Sequence, residues 1–320
     1  MPKIYVTRSI SEEGIELLKK KGFQVDINPE DKVLSRDELK KAVSGYDGLL
    51  CLLTDKIDGE VLDAAGKQLK IVANYAVGYD NIDIKAAAER KIYVTNTPGV
   101  LTEAVAEHTF ALLMSVAKRI VEADDFVRAG KYKQWEPKGF LGPQIWGKTI
   151  GIVGLGRIGS FVAQIAHGGF NMEVLYHDVT KNEEFEMRFS AKYREMPELL
   201  RESDFVTIHV PLLPETHHLI GAKELGTMRE SAILVNTSRG PVVDEIALVE
   251  ALKSKKIAGA GLDVYEHEPD LTAGLADLPN VALTPHTASA TNEARNAMSR
   301  IAAENIIAAL EGKTPPNLVK

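Results

Sequence analysis

The chain has 320 residues, of which 45% are hydrophobic and 26% charged, and its formal net charge at pH 7 is -7. This length favours two domains, and the composition is ordinary for a globular protein. The acidic balance argues against general binding to nucleic acid or to an anionic membrane, and the single cysteine, Cys51, excludes an internal disulfide.

The first hundred residues alternate between strand-like and helix-like segments. Apolar runs predict strands at residues 3–7, 23–27, 48–52, 69–73 and 92–94. Helical spacing predicts helices at residues 12–20, 36–43, 59–65 and 84–89. Because this alternation is typical of a parallel sheet, we expect a small α/β unit here. The chain starts directly with a strand and has no signal-like apolar segment, which predicts a cytoplasmic location.

A long helix is predicted next, from about Leu101 to Val121. It is too short and too interrupted by polar residues for a membrane span. Its apolar residues lie on more than one face, so part of it should meet another domain or a second subunit. An extended arm follows, with Trp135-Glu136-Pro137 near its start. The helix and the aromatic arm together predict a homodimer.

The clearest motif is a glycine triplet in mid-chain, Gly154-Leu155-Gly156-Arg157-Ile158-Gly159, directly after the apolar run 149–153. Gly154 would permit a tight turn, Gly156 would let the backbone approach a pyrophosphate, and Gly159 would let a helix pack on the strand. A second apolar run ends at His177-Asp178, which puts a carboxylate roughly 20 residues further on, where it can bind ribose hydroxyls. The motif predicts dinucleotide binding, with an ordinary βαβ turn as the alternative.

Beyond this motif, strands are predicted at residues 205–209, 232–236 and 257–262, and helices at residues 197–202 and 244–252. A last helix, at about residues 291–310, should return to the first unit. The predicted fold class is therefore α/β, with two doubly wound parallel-sheet domains, Rossmann-like and flavodoxin-like. The nucleotide domain (residues 100–286) would be inserted into a substrate domain made of residues 1–99 and 287–320.

Three polar residues follow apolar segments in the second half and could do chemistry. Arg239 comes directly after a predicted strand, and the carboxyl ends of strands line the ligand crevice of such sheets. Its guanidinium suits a substrate carboxylate, with a surface ion pair as the alternative. Glu268 could orient the imidazole of His286 and make it an acid or base near neutral pH. The alternatives are a solvated loop carboxylate and a structural histidine.

The chain resembles the D-isomer-specific 2-hydroxyacid dehydrogenases across essentially its whole length. The stretches that carry the resemblance are residues 74–81, 147–159, 209–212, 236–240, 261–266 and 283–286. Within that family, the arm and the pair Leu141-Gly142 are most similar to glyoxylate and hydroxypyruvate reductases. Thr287 and Ala288 depart from the usual isoleucine and glycine of the family.

The resemblance implies that Arg239 binds the substrate carboxylate and carbonyl oxygen, that His286 donates the proton during reduction, and that Glu268 is its partner. Asp263 would contact the nicotinamide carboxamide. The expected substrate contacts are Leu53, Ala76, Val77 and Gly78, with the backbone amides of the last two on the carboxylate, and Arg239. The expected cofactor contacts are Gly154, Gly156, Arg157, Ile158, Gly159, His177, Asp178, His209, Val210, Pro211, Thr237, Ser238, Asp263 and His286.

These expectations predict NADH-dependent reduction of a small 2-keto acid, with glyoxylate or hydroxypyruvate first. Asp178 is followed by Val179 and Thr180, without the arginine that pairs with the 2′-phosphate in related NADPH enzymes. The Asp178 carboxylate would repel that phosphate, so NAD is the predicted cofactor. No catalytic metal is expected, because His217, His218 and His267 show no metal-ligand pattern.

Three alternatives stay open: a D-lactate dehydrogenase, a 3-phosphoglycerate dehydrogenase, and an NAD(H)-sensing binding protein like the corepressors built on this scaffold. Phosphite and formate dehydrogenases are disfavoured because they carry lysine and glutamine where this chain has Val77 and Glu268.

Overall fold

The computed structural model describes residues 1–319, and these form two compact units. The first unit combines residues 1–101 with residues 290–319, and the second contains Thr102–Ser289. The sequence predicts domain boundaries after residues 99 and 286. They lie two and three residues before the boundaries of the structure, which follow residues 101 and 289. Lys320, the last residue of the predicted substrate domain, lies outside the described residues.

Short strands and helices alternate along both units. The strands are β1 (Lys3–Val6), β2 (Gln24–Ile27), β3 (Gly48–Cys51), β4 (Ile71–Asn74), β5 (Tyr93–Thr95), β6 (Thr149–Val153), β7 (Glu173–His177), β8 (Lys192–Tyr193), β9 (Phe205–Ile208), β10 (Ile233–Asn236), β11 (Gly259–Leu262) and β12 (Val281–Leu283). The α-helices are α1 (Glu12–Lys20), α2 (Arg36–Ala42), α3 (Gly59–Ala65), α4 (Ile84–Glu89), α5 (Thr102–Ala117), α6 (Ile120–Arg128), α7 (Arg157–Phe170), α8 (Glu183–Phe189), α9 (Met196–Glu202), α10 (Ala222–Thr227), α11 (Glu245–Lys253) and α12 (Asn292–Leu310).

The first unit is a five-stranded parallel sheet in the order β2-β1-β3-β4-β5. The last helix belongs to it, because α12 crosses α1 closely: a side chain at Gly14 would overlap the backbone of Ser299. The Gly14 N–H donates to Ser299 Oγ at 3.0 Å. The end of the chain also pairs with β5, where the Val319 N–H donates to Val94 O at 2.8 Å. Both chain ends therefore build this unit.

The second unit is a seven-stranded parallel sheet in the order β12-β11-β10-β9-β6-β7-β8. Strand β6 lies between β7 and β9, so the strand order reverses there. Apolar side chains are buried against the helices on the two faces, with Leu234 and Leu248 in one cluster and Ile150 and Phe205 in the other. The predicted fold class, two parallel α/β domains, is confirmed.

The predicted single helix over residues 101–121 is wrong, because the structure divides it into α5 and α6. Arg119 stands between them with φ +53°, a left-handed conformation that ends the first helix. Its Nε donates to Glu122 at 2.8 Å, which fixes the start of the second helix. No glycine or proline marks the break, so the sequence gives no signal for it. Among residues 1–319, no helix combines the length and apolarity needed to cross a bilayer.

Candidate active site

The predicted catalytic and cofactor residues of the second unit follow strands that end at one edge of its sheet. The register pairs Val153 with both His177 and Ile208, which aligns the ends of β6, β7 and β9. Asn236 pairs with Ile208 and Leu262, and Leu262 pairs with Leu283, which continues the same edge across β10, β11 and β12. In a doubly wound sheet this edge is where ligands bind.

The glycine triplet forms a turn into α7 in which each glycine is used differently. Gly154 has φ +93°, and a Cβ there would lie 2.9 Å from the carbonyl carbon of His209. A Cβ on Gly159 would overlap the carbonyl oxygen of Gly154. Gly156 is exposed, and a Cβ there would meet no described atom within 4 Å. Gly154 and Gly159 are therefore required by packing, whereas Gly156 leaves open space in front of the helix.

That open space suits a phosphate group. Gly156 is the N-cap of the 14-residue helix α7 and offers no side chain to cap it. The first amides of the helix therefore point at the space in front of the turn, and the helix dipole favours negative charge there. Arg157 is exposed at the first position of the helix and Ile158 is partly buried behind it.

Asp178 lies beside this turn, and the protein holds its carboxylate in place. Its Oδ2 accepts the N–H of Leu155 at 2.6 Å, and its Oδ1 accepts the N–H of Val179 at 2.7 Å. The carboxylate is thus fixed against the glycine turn with room for further hydrogen bonds. The ring of His177 turns elsewhere, since its Nδ1 lies 3.0 Å from Arg194 O.

His209 follows β9 and packs against the same turn. Its backbone N–H donates to Val153 O at 2.7 Å. In the part of the chain that the structure describes, its Nε2 is buried and has no hydrogen-bond partner. Burial lowers the pKa of His209 to about 3, so the imidazole is neutral near pH 7. The open cradle, the anchored carboxylate and this unpartnered nitrogen fit a dinucleotide.

Arg239 lies in a turn after β10 that is held by hydrogen bonds to the Asn236 side chain. Asn236 Nδ2 donates to Arg239 O at 2.9 Å, and its Oδ1 accepts the Ser238 N–H at 3.0 Å. The Arg239 guanidinium is partly buried, and its Nη1 donates to Ser238 O at 2.9 Å. A Cβ on Gly240 would overlap the backbone of Tyr265, so only glycine lets this turn pass the loop after β11.

That loop carries Glu268, which is hydrogen-bonded to His286. The distance between Glu268 Oε2 and His286 Nδ1 is 2.9 Å, and Glu268 Oε1 accepts the Tyr265 N–H at 3.0 Å. An ionised carboxylate only accepts, so Nδ1 carries the hydrogen of the pair. The second ring nitrogen, Nε2, is then the one that can give or take a proton. The structure thus brings together the pair that the sequence predicts.

Asp263 holds the backbone that carries His286. His286 has φ +53°, and its N–H donates to Asp263 O at 2.8 Å. The fully buried Asp263 carboxylate accepts the N–H groups of Thr287 at 2.7 Å and Ala288 at 2.8 Å. Burial raises the pKa of Asp263, but hydrogen bonds from His108, Thr284 and these two amides outweigh it, so the pKa is lowered. The ionised carboxylate therefore fixes the His286 loop, a role that the sequence does not predict.

The remaining predicted residues of this unit are placed at the same edge but differ in exposure. Val210 is partly buried and Pro211 is exposed after β9. After β10, Thr237 is buried with its Oγ1 3.0 Å from Thr109 Oγ1, and Ser238 Oγ donates to Asn236 Oδ1 at 2.9 Å. The hydroxyls of Thr237 and Ser238 thus hold the turn that carries Arg239.

In the first unit, the predicted substrate residues lie in two neighbouring loops. Leu53 follows β3 and residues 76–78 follow β4, and these strands pair through Cys51 and Asn74. Asn96 Nδ2 donates to Val77 O at 2.8 Å, which fixes the second loop. Among residues 1–319, the N–H groups of Val77 and Gly78 donate to no protein acceptor. Two adjacent amides are therefore available to an anion.

Two asparagines that the sequence reasoning missed link these loops. Asn81 Nδ2 donates to Leu52 O at 3.1 Å and to Asp55 O at 3.0 Å. Asn74 Nδ2 donates to Gly78 O at 2.8 Å and to Asn81 Oδ1 at 3.1 Å. The asparagines stand within the stretch that carries the family resemblance, but only the folded chain shows which carbonyls they bind.

Comparison with known proteins gives the same family for sequence and structure. The family model "D-isomer specific 2-hydroxyacid dehydrogenase, NAD binding domain" matches residues 110–288. The glyoxylate reductases of Thermococcus litoralis and Korarchaeum cryptofilum are each 52% identical, over 99% of this chain and 96% of their own length.

Solved structures agree with these relatives. A glyoxylate reductase from Paecilomyes thermophila has a TM-score of 0.88 and 32% identity, over 99% of this chain and 98% of that one. An NADPH-dependent glyoxylate/hydroxypyruvate reductase from Sinorhizobium meliloti has a TM-score of 0.84 and 34% identity, over 100% of this chain and 98% of that one.

Proposed function

We propose that this chain, which belongs to the D-isomer-specific 2-hydroxyacid dehydrogenases, a family of nicotinamide-dependent oxidoreductases, reduces glyoxylate with NADH as its cofactor. Hydroxypyruvate is the next substrate on this proposal, since one similar structure is named for both acids. The observation that carries the proposal is the hydrogen-bonded pair of Glu268 and His286, on the same sheet edge as the dinucleotide cradle. The pair supplies a proton where a carbonyl would be reduced.

A nicotinamide dinucleotide, when bound, supplies the hydride. The backbone amides at Gly156 and Arg157 would hold its pyrophosphate, and Asp178 would accept hydrogen bonds from the adenine ribose. The neutral imidazole of His209 would line the groove beside the turn. These roles follow from the open cradle and from the donors and acceptors around it.

NADH is preferred over NADPH in this proposal because Asp178 carries a negative charge where a 2′-phosphate would lie. The cation that follows Asp178 most closely in the sequence, Lys181, packs over the ring of Tyr193, with its Nζ 4.8 Å from the ring centre. Asp178→Asn should therefore improve catalysis with NADPH relative to NADH. A wild-type protein that prefers NADPH in steady-state kinetics would overturn the cofactor assignment.

The side chains of the second unit match the charge changes of the reaction. Reduction of the carbonyl leaves negative charge on its oxygen, and His286 Nε2 donates the proton that neutralises it. Glu268 faces Nδ1 and holds the imidazole so that Nε2 is the nitrogen left to donate. The Arg239 guanidinium would bind the substrate carboxylate and polarise the carbonyl oxygen.

The first unit would supply backbone N–H groups that donate hydrogen bonds to the substrate carboxylate. We infer this role for the Val77 and Gly78 amides because both N–H groups lack a protein acceptor among residues 1–319 and the loop around them is fixed by asparagines. Leu53 and Ala76 flank them and would set the room for the substrate side chain.

A homodimer is proposed from the surface of the second unit. Large apolar side chains are exposed on α6 and on residues 131–147, including Val127 at 56%, Trp135 at 76% and Leu141 at 68%. Such a concentration of exposed apolar groups marks an interaction surface. A monomeric mass in light scattering would contradict the dimer. The cytoplasmic location stays a prediction from the sequence.

The proposed function is tested with a panel of glyoxylate, hydroxypyruvate, pyruvate and 3-phosphohydroxypyruvate, each with NADH and NADPH. We expect the highest kcat/KM for glyoxylate with NADH. Preference for pyruvate would favour a D-lactate dehydrogenase, and preference for the phosphorylated acid would favour a 3-phosphoglycerate dehydrogenase. Tight NADH binding without turnover of any acid would favour the sensing protein.

A further inference from the structure

A second group of ligand-type side chains lies in the second unit, apart from the residues given a role above. It consists of His217, His218 and Glu266, and one ligand atom from each lies within 4.8 Å of the others. We propose that this cluster, the His-His-Glu cluster, binds a divalent transition-metal ion of the Zn²⁺ class. The proposal does not depend on the substrate of the enzyme.

The carboxylate of the cluster is held in place before any ion binds. Glu266 Oε2 accepts the Glu245 N–H at the start of α11 at 3.2 Å, and the Glu266 N–H donates to Glu245 Oε1 at 2.7 Å. Its Oε1 is directed at His218 Nε2, 2.7 Å away. Glu245 is buried next to Glu266, so two carboxylates lie at this place, and their negative charge favours a cation.

The two histidines come from a short segment that is also fixed by its backbone. The His218 N–H donates to Pro241 O at 2.8 Å, and the His217 N–H donates to Leu213 O at 3.0 Å. Their ring centres are 4.1 Å apart. The side chain of His217 is exposed, so the third ligand approaches from the solvent side. A bound ion would thus keep one coordination position open to water.

The donor set selects the kind of ion. Two imidazoles and one carboxylate are typical of three-ligand Zn²⁺ sites, whereas Mg²⁺ and Ca²⁺ prefer oxygen ligands. Bonds of about 2.0–2.2 Å in a tetrahedral site place neighbouring ligand atoms about 3.3 Å apart. The His218–Glu266 pair would open from its present 2.7 Å, and the other separations would close from at most 4.8 Å.

The sequence does not show this cluster, because adjacent histidines are not a metal-ligand spacing and Glu266 stands 48 residues after His218. The fold brings them together where the turn at Pro241 and the loop after β11 meet. Glu266 lies two residues before Glu268, so an ion here would join the loop that carries the catalytic carboxylate to residues 217–218.

The test uses untagged full-length protein, stripped with chelator and titrated with Zn²⁺ by calorimetry and with Co²⁺ by visible absorption. We expect one ion per chain, with Co²⁺ bands typical of nitrogen and oxygen ligands. His217→Ala and Glu266→Gln should each weaken binding at least 10-fold.

Matched variants decide where the ion binds. His267→Ala removes an exposed neighbour outside the cluster, and His286→Ala removes the histidine of the other His–Glu pair, and both should bind Zn²⁺ like wild type. Thermal unfolding of His217→Ala, whose side chain is exposed, should match metal-free wild type. The proposal is overturned if no ion binds, if Mg²⁺ binds equally well, or if binding is lost in the His267 or His286 variant and kept in the cluster variants.

Discussion

The Gly156→Ala variant separates the fold of the glycine turn from its ligand-binding role. Gly156 has φ -72° and ψ -163°, which alanine adopts, and a Cβ there meets no described atom within 4 Å. Alanine is a poorer N-cap than glycine by up to about 1 kcal/mol, while the stiffer unfolded chain offsets about 0.4–1 kcal/mol. We therefore expect the free energy of unfolding to change by less than about 1 kcal/mol.

The expected effect on the cofactor is larger. The methyl group would occupy the space through which the backbone approaches a pyrophosphate, and would remove at least one hydrogen bond to a charged group. Such a bond contributes about 1.5–3 kcal/mol, so NADH should bind about 10- to 150-fold more weakly.

The assay pairs NADH fluorescence titration with denaturant unfolding. Gly168→Ala is the matched control, because this exposed glycine lies in the same helix with no described atom near its Cβ. It should bind NADH like wild type and be about 0.5–1 kcal/mol more stable. Gly159→Ala should lose both stability and binding, since its Cβ would overlap Gly154 O. Wild-type NADH affinity in Gly156→Ala would show that the pyrophosphate does not bind in front of Gly156.

Three further variants test other parts of the site. Glu268→Gln removes the charge beside the His286 imidazole, so kcat/KM for glyoxylate should fall about 10- to 150-fold at unchanged NADH affinity; equal kinetics would contradict the pairing. Asn81→Ala releases the loops that hold the Gly78 amide, and should raise KM about 10-fold with kcat nearly unchanged. A fall in kcat alone would argue against that positioning role. His209 has its pKa lowered to about 3, so its contribution to stability is fully present above about pH 6.5 and is lost as the pH falls toward 3. Wild type should therefore lose about 2 kcal/mol more than His209→Asn between pH 7 and pH 5, measured by denaturant unfolding, and equal losses would be evidence against a buried neutral imidazole.

The parts of the site that the sequence predicts well are those encoded by local chemistry. Gly154 and Gly159 are predictable because a tight turn and a close helix contact leave no room for a side chain, and the structure shows both constraints. Parallel strands end at one edge, so Arg239 and His286 could be placed on that edge before their contacts were known.

Other features depend on contacts between distant residues. Asp263 holds the His286 loop through the amides of Thr287 and Ala288, and backbone amides carry no sequence signal. The hydrogen bonds from Asn81 to backbone carbonyls cannot be predicted either, because backbone carbonyls also carry no sequence signal. The helix break occurs at Arg119, an arginine in the left-handed conformation, where a glycine or proline would be the usual signal. Helix propensity alone does not predict such a break.

The proton-donor role of His286 is tested most directly with the variant His286→Ala, by NADH fluorescence titration and by single-turnover reduction of glyoxylate. If the side chain is the proton donor, as proposed, its removal outside the glycine cradle should leave NADH affinity within about 2-fold while the rate of reduction falls by about 10²- to 10⁴-fold. Reduction of glyoxylate at the wild-type rate in this variant would show that His286 is not the proton donor.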